Sequence, residues 1–128
     1  VVTDREKLAQ MAEANGRVAR MLNQAAAAIL VCGDLDRAFP PAPDFWVIDA
    51  AIAAQNMTLA ANDFGIGSVW LGTWPDEKRV KRQAAIFQLP ETIVPHSILA
   101  LGYPAEDIDM LAVRPSRYEE NRVHVNQW

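Results

Sequence analysis

A layered α/β or α+β sandwich is the fold class predicted for this chain, on three observations. Segments with helical periodicity alternate with short apolar runs of strand length. One helical segment, Phe45 to Phe64, is long, rich in alanine and free of glycine and proline. The 128 residues are 51% hydrophobic and 22% charged, which excludes disorder. A chain of this size buries roughly two-thirds of its unfolded surface, so one core can form without disulfides or metal.

The elements follow in order. Val1-Val2-Thr3 reads as the tail of a strand, so the chain is expected to begin inside a fold. Asp4 is placed to cap a helix from Arg5 whose inward stripe is Leu8, Met11 and Ala12, and Asn15-Gly16 supplies its stop. A second short helix, Arg17 to Gln24, is expected to turn Val18, Met21 and Leu22 inward. Ala26 to Cys32 is a continuous apolar run ending at Gly33, a buried strand by its length and β-branching. Asp34 to Asp44 contains Pro40, Pro41 and Pro43 and is predicted to be a loop.

The segment Phe45 to Phe64, with Asp44 as its cap and Gly65 as its close, is apolar on nearly every face. Such a helix asks for burial on all sides, which one small domain cannot easily provide. A subunit interface meets that demand, and the alanines permit close helix approach. Gly67 to Gly72 is a glycine-bounded strand or extended loop. Asp76 caps a helix from about Glu77 to Phe87, with Lys78, Arg79, Lys81 and Arg82 on its wet side, and Leu89-Pro90-Glu91 breaks it. His96 to Leu101 is the next strand, ended by Gly102-Tyr103-Pro104. Val113 to Trp128 lacks a core pattern and should be an arm lying on something else.

Charge and composition exclude several classes of function. A net charge of −4 leaves no general basic face for nucleic acid. The single cysteine, Cys32, excludes zinc ribbons and disulfide scaffolds, and its apolar run predicts an inert core thiol. No apolar run reaches the ~18 residues of a membrane helix, so a soluble cytoplasmic protein is expected. Ser68 and Ser97 lack a nucleophile elbow, and His96 and His124 have no metal-ligand neighbours at usable spacing. Both histidines are read as surface or hydrogen-bonded structural residues, and Asp49 as a helix-edge or ion-paired carboxylate. No catalytic acid, base or nucleophile and no metal site is predicted. Trp46, Trp70, Trp74 and Trp128 either line a planar pocket or fill core and interface. Gly65-Ile66-Gly67-Ser68 leading into Trp70-Leu71-Gly72 either lets backbone N–H groups approach a flat or phosphorylated ligand, or is a helix cap followed by a turn. Arg114, Arg117 and Arg122 either offer guanidinium forks to a phosphate or form a solvated basic tail.

The order of these pieces is more specific than any one of them. Leu59-Ala60-Ala61-Asn62-Asp63-Phe64-Gly65-Ile66-Gly67-Ser68-Val69-Trp70-Leu71-Gly72, then Leu89-Pro90-Glu91, then Ala100-Leu101-Gly102-Tyr103-Pro104, then Arg114-Pro115-Ser116-Arg117-Tyr118 resembles the C-terminal two-thirds of the nitroreductase family of flavoproteins. The resemblance covers essentially the whole chain. It implies an α+β sandwich with a central sheet flanked by helices, dimerising through the long central helix. It implies FMN at the subunit interface, with Trp70, Leu71 and Gly72 facing the ring near N5 and Ile66 and Gly67 flanking it. Arg117 is the best match to the family's phosphate-binding basic residue, and Arg114 the second.

The implied activity is electron transfer from NAD(P)H through FMN to nitroaromatic or quinone-like acceptors by a ping-pong mechanism, in a cytoplasmic homodimer. No nucleic acid or membrane takes part. The alternative is a non-catalytic flavin-binding or dimerisation module of the same fold. The family's Arg-x-Ser-x-Arg and Pro-Ser-x-x-Asn-x-Gln-Pro-Trp segments do not occur in this sequence. Residues 1–128 are therefore expected to form a single nitroreductase-like domain lacking its N-terminal part.

Overall fold

The Asp4 carboxylate accepts the Lys7 N–H at 2.8 Å and starts the first helix, α1 (Arg5–Asn15), as its sequence position predicts. The computed structural model describes residues 1–109, 112–113 and 115–128. After α1 comes a 3₁₀ segment, Arg17–Asn23, and here the expected inward set changes. Ala19 and Leu22 are buried, while Val18 and Met21 are exposed. A 3₁₀ helix repeats every three residues, so positions 19 and 22 share a face and the α-helical stripe does not apply.

The first strand, β1 (Ala27–Asp34), is the predicted apolar run, and Val2 pairs with Ala28 in an isolated antiparallel bridge beside it. The proline-rich stretch carries two 3₁₀ turns, Leu35–Arg37 and Pro43–Phe45. The second turn displaces the start of the long helix, α2 (Trp46–Asp63), so Asp44 does not cap it. Gly65, at φ 69, follows the helix end, where the Ile66 N–H returns to the Ala61 carbonyl at 2.8 Å. Next are β2 (Gly67–Gly72) and α3 (Glu77–Phe87), the latter capped by Asp76 through the N–H groups of Lys78 and Arg79. The last strand, β3 (Ile93–Gly102), begins three residues earlier than expected and takes Pro95 into its length.

The sheet is antiparallel in the order β1-β3-β2. Because β3 is central, it is buried from Pro95 to Ala100, and its alternate residues serve two cores. Ile98 and Ala100 join Leu8, Met11, Leu22, Ala28 and Leu71 under α1 and α3, while Leu99 meets Val31, Ala50 and Ala54 under α2. The result is helices, sheet and helix in three layers.

The pairing of β1 with β3 slips between Val31 and Cys32: Val31 faces Ser97, but Cys32 faces Pro95. His96 is the extra residue of this bulge, which re-aims its side chain.

Within the chain, α2 is covered on one face only. Ala50, Ala54 and Ala61 are buried against the sheet, whereas Ile48, Ile52 and Leu59 are more than half exposed. The expectation of burial on every side is therefore not met by this chain alone. From Tyr103 onward every described residue is exposed, consistent with an arm that has no core of its own.

Candidate functional site

The site is built on the outer edge of β2. The Thr73 N–H donates to the His96 carbonyl at 3.1 Å, and Gly72 stands opposite Ser97. Bonded and non-bonded pairs alternate in an antiparallel ladder. Leu71 therefore turns its backbone toward β3, while Trp70 and Gly72 turn theirs to the free edge. The Gly72 carbonyl bears this out: it accepts from Asn15 Nδ2 and from an Arg79 guanidinium N–H, each at 3.2 Å. The Gly72 N–H leaves the strand on the same side as its carbonyl.

Side chains at this end of the sheet separate by the same alternation. Leu71 is buried in the core beneath α1 and α3. Trp70 lies on the other face, its ring 5.9 Å from that of His96, and His96 is also 5.9 Å from Trp46. Trp46 meets Trp74 edge-on at 5.1 Å. Three of the four tryptophans thus converge around His96, and Trp70 and Trp74 keep exposed surface. Trp128 is elsewhere, stacked on His124 in the arm. His96 itself is buried, its Nδ1 3.1 Å from Ser97 Oγ, and burial pushes its pKa below the usual 6.5.

Ile66 and Gly67 are at the opposite end of β2. They line a groove of about 480 Å³ with Met21, Gln24, Tyr103 and Pro104. Five residue steps of strand take the chain from Gly67 to Gly72, about 17 Å. The two glycines have different reasons to lack a side chain. A Cβ on Gly67 would come within 3.3 Å of the Gly102 carbonyl, so strand packing explains it. A Cβ on Gly72 would meet nothing closer than 3.8 Å, so packing inside the chain leaves that glycine unexplained.

Arg117 is exposed on the C-terminal arm and is not among the residues lining the groove beside Ile66 and Gly67. Arg114 lies outside the described residues. Cys32 is half-buried, not fully buried as its apolar run suggested, because its side of β1 opens on a hollow lined by Arg37, Phe39 and Asp49. Burial still pushes its thiol up to about 11. Asp49 is exposed on α2. Among the described residues no group of His, Cys, Asp and Glu could hold a metal. None of their helices is long and apolar enough to cross a membrane.

Two contributors to the site, Asn15 and Thr73, carry no functional reading in the sequence, which marks Asn15 only as a helix stop; Arg79 reads there on the wet side of its helix, whereas its guanidinium reaches the Gly72 carbonyl. The spacing of Asn15 held a usable signal, since it lies four residues after Met11 on the buried stripe of α1.

The model of the Nitroreductase family matches residues 2–103. The chain belongs to the nitroreductase family. An Archaeoglobus fulgidus protein named "Putative NADH dehydrogenase/NAD(P)H nitroreductase" is 42% identical over 128 residues, covering 100% of this chain and 72% of that protein. A crystal structure of the same name from Bacteroides thetaiotaomicron superposes with a TM-score of 0.85 at 40% identity, over 99% of this chain and 70% of the other. An FMN-dependent nitroreductase from Clostridium difficile gives a TM-score of 0.82 at 26% identity, over 99% of this chain and 73% of the other. Family membership and these likenesses support an oxidoreductase on a mixed helix-and-sheet fold.

The residues at the β2 edge fit a nitroreductase's FMN in kind. A flat ring with nitrogen and carbonyl acceptors along its rim suits an open backbone edge that carries N–H donors. It also suits a glycine with space over it and an exposed indole alongside.

Proposed function

We propose that this chain binds FMN along the free edge of β2 and works as an NAD(P)H-dependent oxidoreductase on nitroaromatic or quinone-like acceptors. The observation that carries the reading is the orientation of Gly72, whose N–H faces off the sheet edge in a chain that belongs to the nitroreductase family. FMN, when bound, supplies two-electron transfer between NAD(P)H and the acceptor, in two successive half-reactions at one open face.

The protein's own tasks are then limited. Gly72 and Trp70 offer backbone donors to the ring rim near N5 and O4, with Leu71 anchoring the strand between them. Ile66 and Gly67 flank the ligand at the far end of the strand. Arg117, or Arg114, holds the phosphate from the arm. Ping-pong exchange requires a flat face that donor and acceptor can occupy in turn. No acid, base or nucleophile need be positioned, in keeping with the sequence.

The exposed stripe Ile48, Ile52 and Leu59 on α2 favours a homodimer, with the arm of one copy reaching toward the other. A supply of NAD(P)H assigns the reaction to the cytoplasm.

The test is spectroscopic. The purified chain, mixed with FMN and freed of excess, should be yellow. NADH or NADPH should bleach it, and a quinone should restore the colour. A chain that stays colourless overturns the reading. A yellow chain that no nicotinamide bleaches is instead a flavin-binding module.

A further inference from the structure

Gly72 is the most lightly built point of the proposed site, because a glycine at the end of an edge strand has no side chain to hold its peptide. Two helices supply the restraint. Asn15, at the end of α1, is 1% exposed, and both ends of its amide are engaged. Nδ2 donates to the Gly72 carbonyl at 3.2 Å, and Oδ1 accepts the Thr73 hydroxyl at 3.0 Å. The Gly72 carbonyl fixes which way round the amide stands, since it can only accept and only the amide nitrogen can donate to it. Arg79, in the first turn of α3, donates to the same carbonyl and is itself tied to Asp76 at 3.3 Å.

One turn after Arg79 on α3 and one turn before Asn15 on α1, Gln83 Nε2 donates to the Met11 carbonyl at 2.9 Å and holds α1 against α3 at a second level. Thr73 completes the arrangement by donating its N–H to His96 on β3. A bare strand end needs none of this, and water would serve the carbonyl as well. Burying the Asn15 amide is favourable because both its ends make hydrogen bonds.

We infer that Asn15 and Arg79 are positioning residues: by gripping the Gly72 carbonyl from two helices they fix the peptide after Gly72 and, with the β3 pairing of Leu71 fixing the peptide before it, hold the Gly72 N–H toward the flavin. The inference rests on the proposed FMN reading and assigns the aim of that donor to residues that need not touch the ligand. Holding the carbonyl on one side and the β3 pairing of Leu71 on the other leaves the Gly72 dihedrals little freedom.

Two variants test it. Arg79→Met removes one donor at a partly exposed position and should fold. Asn15→Ser removes the other at a buried one. In the FMN-free chain, the backbone ¹⁵N order parameter of Gly72 should fall from about 0.85 to below about 0.6 in each variant. In the FMN-loaded chain, the preference for reduced over oxidised FMN should fall about tenfold, a midpoint potential about 30 mV more negative for a two-electron couple. Arg79→Lys, which keeps a donor, should return most of that shift. A Gly72 that stays ordered in Arg79→Met overturns the inference. So does an unmoved potential in variants that fold and bind FMN normally. If the unsubstituted chain takes up no FMN, the reading beneath the inference fails, and the inference with it.

Discussion

Gly33 shows how one absent side chain can decide a local structure. It reads in sequence as the stop after an apolar run, but it lies inside β1, and a Cβ there would drive into the Trp46 ring. Gly33→Ala should therefore lower stability by about 1–3 kcal/mol through overpacking, measurable as a lower urea midpoint. His96, next to the same indole, adds a pH dependence. Burial favours its neutral ring, so the unfolded chain takes up a proton more readily than the folded one. Stability should fall as pH drops below about 6.5 and level off only beneath the lowered folded value. His96→Gln should remove that slope between about pH 7.5 and about pH 5; urea melts in which the slope persists would assign it to other groups. For the ligand, Arg117→Ala should weaken FMN binding about ten- to hundred-fold, the loss of one charged hydrogen bond of about 1.5–3 kcal/mol. Unchanged affinity would reject Arg117 as the phosphate anchor.

At the level of the element, α3 ends on an unusual residue. Gln88 caps it in the left-handed region, at φ 51 and ψ 43, a conformation that glycine adopts without steric cost. Gln88→Gly should raise stability by about 1 kcal/mol, and a lowered thermal midpoint would contradict this. The same element shows what was legible in the sequence. Asp76 before a charged, periodic run marked the start of α3 correctly, because capping is a local interaction between neighbours. The limits of α1 and β2 and the end of α2 were also readable from periodicity and glycine punctuation. What was not readable depends on partners distant in sequence. The 3₁₀ geometry of Arg17–Asn23 kept Leu22 inward but put Ala19 there in place of Val18 and Met21, and the bulge at His96 appears only when β1 and β3 are paired. Of the five residues expected around the flavin ring, four lie in β2 and Ile66 just precedes it, but the strand's length divides them between two ends. Asn15 and Arg79 reach Gly72 from 57 and 7 residues away, and no spacing rule connects them to it.

For the whole molecule, the open question in the sequence was what covers the long apolar helix. The structure divides α2 into a face spent on the sheet and a stripe of Ile48, Ile52 and Leu59 left in solvent. Fully burying such a side chain is worth about 1.5–3 kcal/mol and each of these is already part covered, so the stripe offers only part of that gain to the second copy we propose as its partner. The chain should sediment at twice its monomer mass, and Ile52→Glu should return it to the monomer. A wild-type chain that sediments as a monomer at high concentration would remove the basis for a shared ligand site.

The place of β3 carries a consequence for how the chain comes to be folded during synthesis. It lies in the middle of the sheet yet is the last strand in sequence among the described residues, and both β1 and β2 take their ladders from it. Until Gly102 has left the ribosome, β1 and β2 lack the ladders they take from β3, and most of the apolar run Ala27 to Cys32 waits without that cover. Closing loops that long is slow, so translation of this protein should pass through a window in which chaperones, or neighbouring nascent chains, compete for that run.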